Sequence, residues 1–247
     1  MINYNEINLP SPNYNYMVLG YNGVDYFAQW WDAPKFPNTT LRFIDNGKQT
    51  FPEHLKENLI HQNQVNIGCS GGWNLALDIA FKHLGLEKVI IGQEDARVSE
   101  EVFEALLAEC NPDTICGTYT NGFNFSTYAI HRDTFQRIGR FDENFVYVCC
   151  EDNDYMHRAK LAGVEIKSLG ISNKFNASIA NNSNVVPIRS SQHNADYIYR
   201  KWNNYSWSIP WNGEAVPRYT DYFKELYGDP TIWPSEMEFN LFKENQQ

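Results

Sequence analysis

The sequence predicts an α/β domain, a sheet covered by helices on both faces, and the prediction rests on pattern and punctuation. Short apolar runs alternate with helix-compatible segments from residue 16 to about residue 110, the rhythm of strands alternating with covering helices. Three of these runs end in polar turn wording, Tyr21-Asn22-Gly23, Asp45-Asn46-Gly47 and Gln93-Glu94-Asp95. Ligands of such sheets meet the carboxyl ends of the strands, so these turns are the first candidates for a binding crevice.

In chain order, Tyr16-Met17-Val18-Leu19-Gly20 is a buried strand entering a turn, and Leu41-Arg42-Phe43-Ile44 repeats the pattern. A polar, helix-compatible stretch follows around Glu53 to Ile60, and Val65-Asn66-Ile67 reads as a further short strand. Gly71-Gly72 precedes a helix from Asn74 to Leu84, in which Leu75 and Ile79 keep helical spacing and Gly85 supplies the stop. Lys88-Val89-Ile90-Ile91-Gly92 is the clearest strand. Ser99-Glu100-Glu101 then opens a helix as an N-cap serine with an acidic first turn, turning Val102, Phe103, Leu106 and Leu107 inward. Beyond residue 113 come short strands, a helix near Asp133 to Ile138 and another from about Asp152 to Ala162 ended by Gly163. After residue 172 the chain is Asn/Ser-rich, then aromatic-rich, with a late amphipathic helix around Tyr219 to Tyr227.

Composition bounds the function. At 247 residues, 43% hydrophobic and 15% aromatic, the chain can bury a core of one large domain or two small ones, and wholesale disorder is excluded. No repeat or low-complexity linker divides it, so residues 1–172 read as a core and 173–247 as an extension continuous with it. Thirty acidic against twenty basic residues leave a net charge of −10, which disfavours nucleic acid as a partner because phosphate backbones are captured by basic surfaces. No run approaches the roughly 18 apolar residues of a membrane span, and the first residues lack the basic and apolar regions of a signal peptide. A cytoplasmic protein is expected. The five cysteines, without a CxxC pair, suit reduced thiols there.

The usual marks of dinucleotide, P-loop, serine-hydrolase and zinc-peptidase sites are missing: no GxGxxG follows a strand, and there is no GxxxxGK[ST], GxSxG or HExxH. The chemistry lies in two acidic clusters. Gln93-Glu94-Asp95 follows a buried strand, where carboxylates face a ligand crevice and can hold a divalent cation or a ribose, or simply cap the next helix. Cys149-Cys150-Glu151-Asp152-Asn153-Asp154 leads into a helix whose free N-terminal amides it can satisfy.

The wider wording decides between these readings. Ile138-Gly139-Arg140-Phe141-Asp142-Glu143-Asn144-Phe145, followed by Glu151-Asp152-Asn153-Asp154, Arg158 and Gly163, resembles the "vGgFDE.F" and "ED.D...R....G" phrases of family 2 glycosyltransferases, nucleotide-sugar-dependent enzymes of the GT-A fold. Upstream, Val18-Leu19-Gly20-Tyr21-Asn22 is similar to that family's first strand and Phe43-Ile44-Asp45-Asn46-Gly47 to its "vDNgS" strand. Gly71-Gly72-Trp73-Asn74 resembles its "G...a.N" helix start, and Gln93-Glu94-Asp95 falls where it carries a DxD-type motif. The likeness covers roughly residues 16 to 170, and Tyr197-x-x-x-Lys201-Trp202 resembles small phage and bacterial members.

The resemblance implies a Rossmann-like mixed sheet flanked by helices, with a small aromatic-rich C-terminal extension. It implies a donor site drawn from Tyr21, Asn22, Asp45, Gly72, Asn74, Gln93, Glu94 and Asp95, with Asp45 meeting the nucleotide and Asp95 the surviving DxD acid. Asp152 becomes the catalytic base, with Glu151 beside it to orient the acceptor. The implied reaction is an inverting transfer from a UDP-, GDP- or dTDP-linked sugar to a hydroxyl of a glycan or a hydroxylated DNA base. One carboxylate takes the acceptor proton while charge on the leaving diphosphate is neutralised from the other side. A protein of the same fold that binds nucleotide-sugar or glycan without catalysis is the alternative, and Gln93 in place of an acid is what keeps it open.

Gln93 also weakens the expected Mn2+ or Mg2+ site, leaving Asp95 and the loop residue His193 as its poor ligands; Lys174 can stand in as a fixed charge against the diphosphate. Arg158 is expected either to pair with an acid or to lie on the surface. In the C-terminal third, Arg200, Lys201 and Trp202 are acceptor-side candidates, since aromatic faces stack on sugars and cations reach phosphates. The other reading of these aromatics is a small lobe packed over the sheet.

Overall fold

The computed structural model describes residues 14–21, 24–25, 39–47, 49–63, 66–118, 123, 125–145, 147–170, 175–176, 194–195, 197–199 and 201–202. The strands of the main sheet are β1 (Tyr14–Gly20), β2 (Thr39–Asp45), β3 (Leu59–Gln62), β4 (Lys88–Gln93), β6 (Thr114–Gly117), β7 (Thr127–His131) and β8 (Glu165–Ser168). A short pair, β5 (Ala96–Arg97) with β9 (Phe175–Asn176), stands apart. The helices are α1 (Glu53–Lys56), α2 (Gly68–Asp78, continued as a π turn over Ile79–His83), α3 (Glu100–Glu109), α4 (Arg132–Ile138) and α5 (Glu151–Leu161).

The main sheet runs β3-β2-β1-β4-β7-β6-β8. β1, β2, β3 and β4 are mutually parallel, and β7 enters antiparallel to both β4 and β6. Alternation along each strand loads both faces. Met17, Leu19, Ile44, Val89 and Ile91 join Trp73, Leu77, Phe135, Phe141 and Tyr155 on one side. Tyr16, Val18, Phe43 and Ile90 join Leu55, Val102, Phe103 and Leu106 on the other. Each large side chain so buried stabilises by about 1.5–3 kcal/mol. The strand order reverses between β1 and β4, which opens a crevice beyond their carboxyl ends.

Most elements fall where the pattern put them, and the exceptions have reasons. The segment read as helix from Glu53 to Ile60 forms one turn, α1, and then the parallel strand β3. The strand expected at 65–67 is absent at Asn66 and Ile67, which instead hydrogen-bond the Asn46 side chain. Helix α2 begins at Gly68, so Gly71 and Gly72 lie inside it and not before it. A Cβ on Gly72 would sit 2.6 Å from a Leu19 methyl carbon, so glycine allows the helix to lie this close to β1. Ser99 stands at the N-cap of α3 with no side-chain cap bond. The late helix expected over Tyr219 to Tyr227 lies outside the described residues.

The C-terminal extension touches the core through residues 194–202, helical wherever they are described. Asn194, Tyr197, Ile198, Lys201 and Trp202 are buried while Tyr199 is half exposed, the one-sided stripe of a helix docked along its length. Among the described aromatics of this segment, Tyr197 and Trp202 pack with Phe145 and Cys150, while Tyr199 does not. No helix among the described residues is long and apolar enough to cross a membrane.

Candidate active site

Two acidic pairs make up the candidate site, Glu94-Asp95 and Glu151-Asp152. The first comes from the end of β4. The Glu94 backbone N–H donates to the Leu19 carbonyl at 3.0 Å, and its carboxylate accepts from the Tyr21 N–H, also at 3.0 Å. β1 and β4 are thereby tied together where the strand order reverses. Burial pushes the Glu94 carboxyl up to about 8, and the nearby charges of Asp95 and Asp45 push in the same direction. Asp95 is equally buried, and the Gln93 N–H donates to the Ser126 carbonyl.

The second pair, Glu151 and Asp152, opens α5. The turn that delivers it is strained: Tyr147, Cys149 and Cys150 all have left-handed φ, at 54°, 86° and 71°. Non-glycine residues held so cost about 1–3 kcal/mol each and persist only where their surroundings overdetermine them. The surroundings here do so. The Cys69 N–H donates to the Tyr147 carbonyl at 2.6 Å, and Asn194 donates to the carbonyls of Val148 at 2.9 Å and Cys149 at 3.0 Å. Gly68 lets this turn approach, since a Cβ there would lie 3.1 Å from the Tyr147 nitrogen.

Asp152 accepts from the Asn153 N–H at 2.8 Å and stays half-buried. Burial raises its pKa. Burial and the adjacent Asp152 charge raise that of Glu151 well above the usual carboxylate range, and Glu151 Oε2 is buried with no partner among the described residues. Of the two, Glu151 is held the further above the ordinary carboxylate range.

Cys69, in the first turn of α2, links the pairs. Burial raises its thiol pKa first, and the charges of Glu151, Glu94 and Asp152 add to that, so it lies within electrostatic reach of both acidic groups and stays a neutral thiol. No motif pointed to Cys69, because its place depends on α2 starting three residues before the Gly-Gly pair.

The remaining expected residues divide sharply. Asp45 is fully buried at the end of β2, and its carboxylate accepts four hydrogen bonds from its own chain. These come from the N–H groups of Gly47 and Gln49, at 3.1 and 3.2 Å, and the amides of Gln49 and Gln62, at 2.6 and 2.7 Å. Four donors use the lone-pair capacity of a carboxylate, so a direct nucleotide contact by Asp45 would have to displace one of them.

Asn74, expected at the donor, is buried and holds the 141–143 loop by exchanging bonds with the Phe141 backbone and donating to Glu143. Gly72 serves the approach of α2 to β1. Lys201 and Trp202, expected at an acceptor surface, are fully buried: Lys201 pairs with Asp142 at 2.9 Å and Asp154 at 2.6 Å, and the Trp202 indole donates to Asp154 at 2.8 Å. Arg158 is no surface residue either, pairing with Asp154 at 2.9 Å and donating to the Ile138 carbonyl. Burial alone would raise the Asp154 pKa, but Lys201 and Arg158 outweigh it and hold it below the usual range. Asn22, Lys174, His193 and Arg200 lie outside the described residues. Among the described residues no three His, Cys, Asp or Glu side chains are gathered closely enough to hold a metal ion.

No protein-family model matches the sequence, and no curated protein matches it. Solved structures do resemble the fold. The mannosyltransferase PcManGT from Pyrobaculum calidifontis, solved with GDP-Man and Mn2+, superposes with a TM-score of 0.52 at 11% identity, over 80% of this chain and 75% of its own. TarS 1-349 from S. aureus gives 0.50 at 16%, over 77% and 72%. GalNAc-T7, solved with UDP, GalNAc and Mn2+, gives 0.55 at 11%, over 76% of this chain and 48% of its own. The chain has the GT-A type of α/β fold that these structures share.

Proposed function

We propose that the protein is a glycosyltransferase that moves a sugar from a nucleoside-diphosphate donor to an acceptor hydroxyl with inversion. The observation that carries this reading is that Glu94, at the reversal of strand order, and the pair Glu151-Asp152 all act electrostatically on one buried thiol, Cys69. An inverting transfer needs two separated functions, a base on the acceptor side and charge control on the leaving-group side.

In this reading the acceptor oxygen attacks the anomeric carbon as its proton passes to Asp152, and the nucleoside diphosphate departs from the opposite face. Asp152 is the less strongly raised of its pair and so the one to serve as base, and a neutral Glu151 offers a proton donor to an acceptor oxygen. Tyr21, Gln93, Glu94 and Asp95 line the donor side. Burial favours the protonated form of Glu94 near neutral pH, and a cation shared with the donor phosphates would draw it to its ionised form beside Asp95. Asp95 and Glu94 are the residues that would hold a Mn2+ or Mg2+ ion, which would neutralise the leaving diphosphate.

A binding protein without catalysis would have no use for a strained turn that presents two raised carboxylates. The test is a thermal-shift panel of UDP, GDP, dTDP and their sugars, followed by release of nucleoside diphosphate from whichever donor binds. A ligand at 100 times its Kd stabilises the fold by about 2.7 kcal/mol. A flat panel removes the nucleotide-sugar reading, and binding without release in any acceptor or water leaves binding alone.

A further inference from the structure

We infer that Asn194 and Lys201 are positioning residues: together they clamp the C-terminal helical segment onto the turn and helix that present Glu151 and Asp152, and so set the geometry of the transfer step. The inference rests on the proposed role of Asp152.

The two residues are seven apart on one helical stripe, two turns, and therefore face the same way. At one end Asn194 donates to two consecutive carbonyls, Val148 and Cys149, inside the left-handed turn. Both amide hydrogens of one side chain thus hold the backbone immediately before Glu151. At the other end Lys201 joins Asp142 to Asp154, two residues beyond Asp152 on the same helix. Tyr197 donates to Asp142 and Trp202 to Asp154, and Arg158 supplies the second cation. Asp142, Asp154, Arg158 and Lys201 are all fully buried, two anions against two cations, so removal of one leaves a buried imbalance.

The strained turn and the first turn of α5 are thereby held from both sides by a segment some 45 residues or more distant in sequence. The donor side is built differently, from β1, β2 and β4 and their own hydrogen bonds. A loosened clamp should therefore disturb the base and leave donor affinity alone.

The experiment compares full-length wild type with Asn194→Ala, Lys201→Met, and Lys201→Met combined with Asp142→Asn, which restores charge balance. Three quantities are read: the turnover and KM for release of nucleoside diphosphate from the donor identified above, the Kd for the nucleoside diphosphate alone, and backbone hydrogen exchange over residues 147–155. The expected result is a tenfold or greater loss of kcat in both single variants, with KM and Kd within about twofold and exchange over 147–155 at least tenfold faster. The charge-balanced double variant should recover most of both. Unchanged kcat and exchange in a folded Asn194→Ala overturns the clamp, as does a parallel loss of donor affinity in every variant, which is general loosening. Hydrogen exchange needs no catalysis: should wild type release nothing from any donor, faster exchange over 147–155 still supports the clamp while the transferase reading falls.

Discussion

The Glu94 carboxylate accepts a hydrogen bond from the Tyr21 backbone N–H at 3.0 Å, so this acid also ties the ends of β1 and β4. Its environment makes that bond sensitive to pH. The folded chain holds the Glu94 proton up to about 8, whereas an exposed glutamate releases it near 4.5. Between these values the folded state binds the extra proton, so the stability it brings is full at acid pH and is lost as pH rises toward 8. The slope is at most about 1.4 kcal/mol per pH unit. Glu94→Gln keeps an acceptor for Tyr21 and has no proton to lose, so its urea midpoint should fall less than that of wild type between pH 5 and 8. Parallel slopes for the two proteins would contradict the assignment.

Asp152→Asn should abolish transfer while sparing donor binding. A positioned general base contributes about 10²–10⁴ in rate, and the amide keeps the shape of the carboxylate. Turnover within a few-fold of wild type would remove Asp152 from the base role.

Asp45→Asn is expected to act on stability. Its amide nitrogen would confront donors that now point at a carboxylate oxygen, among them the Gln49 and Gln62 amides, at a cost of about 2–4 kcal/mol. Equilibrium denaturation measures this directly. An unchanged midpoint with weakened nucleotide affinity would return Asp45 to a direct donor contact.

Gly72→Ala should destabilise by about 1–3 kcal/mol through overpacking, because the new methyl would meet the Leu19 side chain at 2.6 Å. The cost should shrink in a Leu19→Ala background. A double-mutant cycle reads that coupling, and additive costs would mean the contact relaxes elsewhere.

Local pattern determined a great deal. Alternation, turn residues and helical spacing carried β1, β2, β4, α3, α4 and α5 to within a few residues, and the acidic wording supplied the residues proposed for both ends of the candidate site. These signals are written in neighbouring residues, where backbone geometry and the period of burial act. The helix-or-strand choice at 59–62 was not legible, since a short half-buried segment takes its structure from the strand it pairs with. Tertiary structure alone decided what the polar side chains do. Asp45 is saturated by Gln62 from seventeen residues away, Lys201 is drawn inward by Asp142 at a separation of 59, and Asn194 reaches Cys149 across 45. A sequence names such groups as able to bind a ligand or to bind each other. Which partner wins depends on desolvation and distance, and both exist only once the chain has folded.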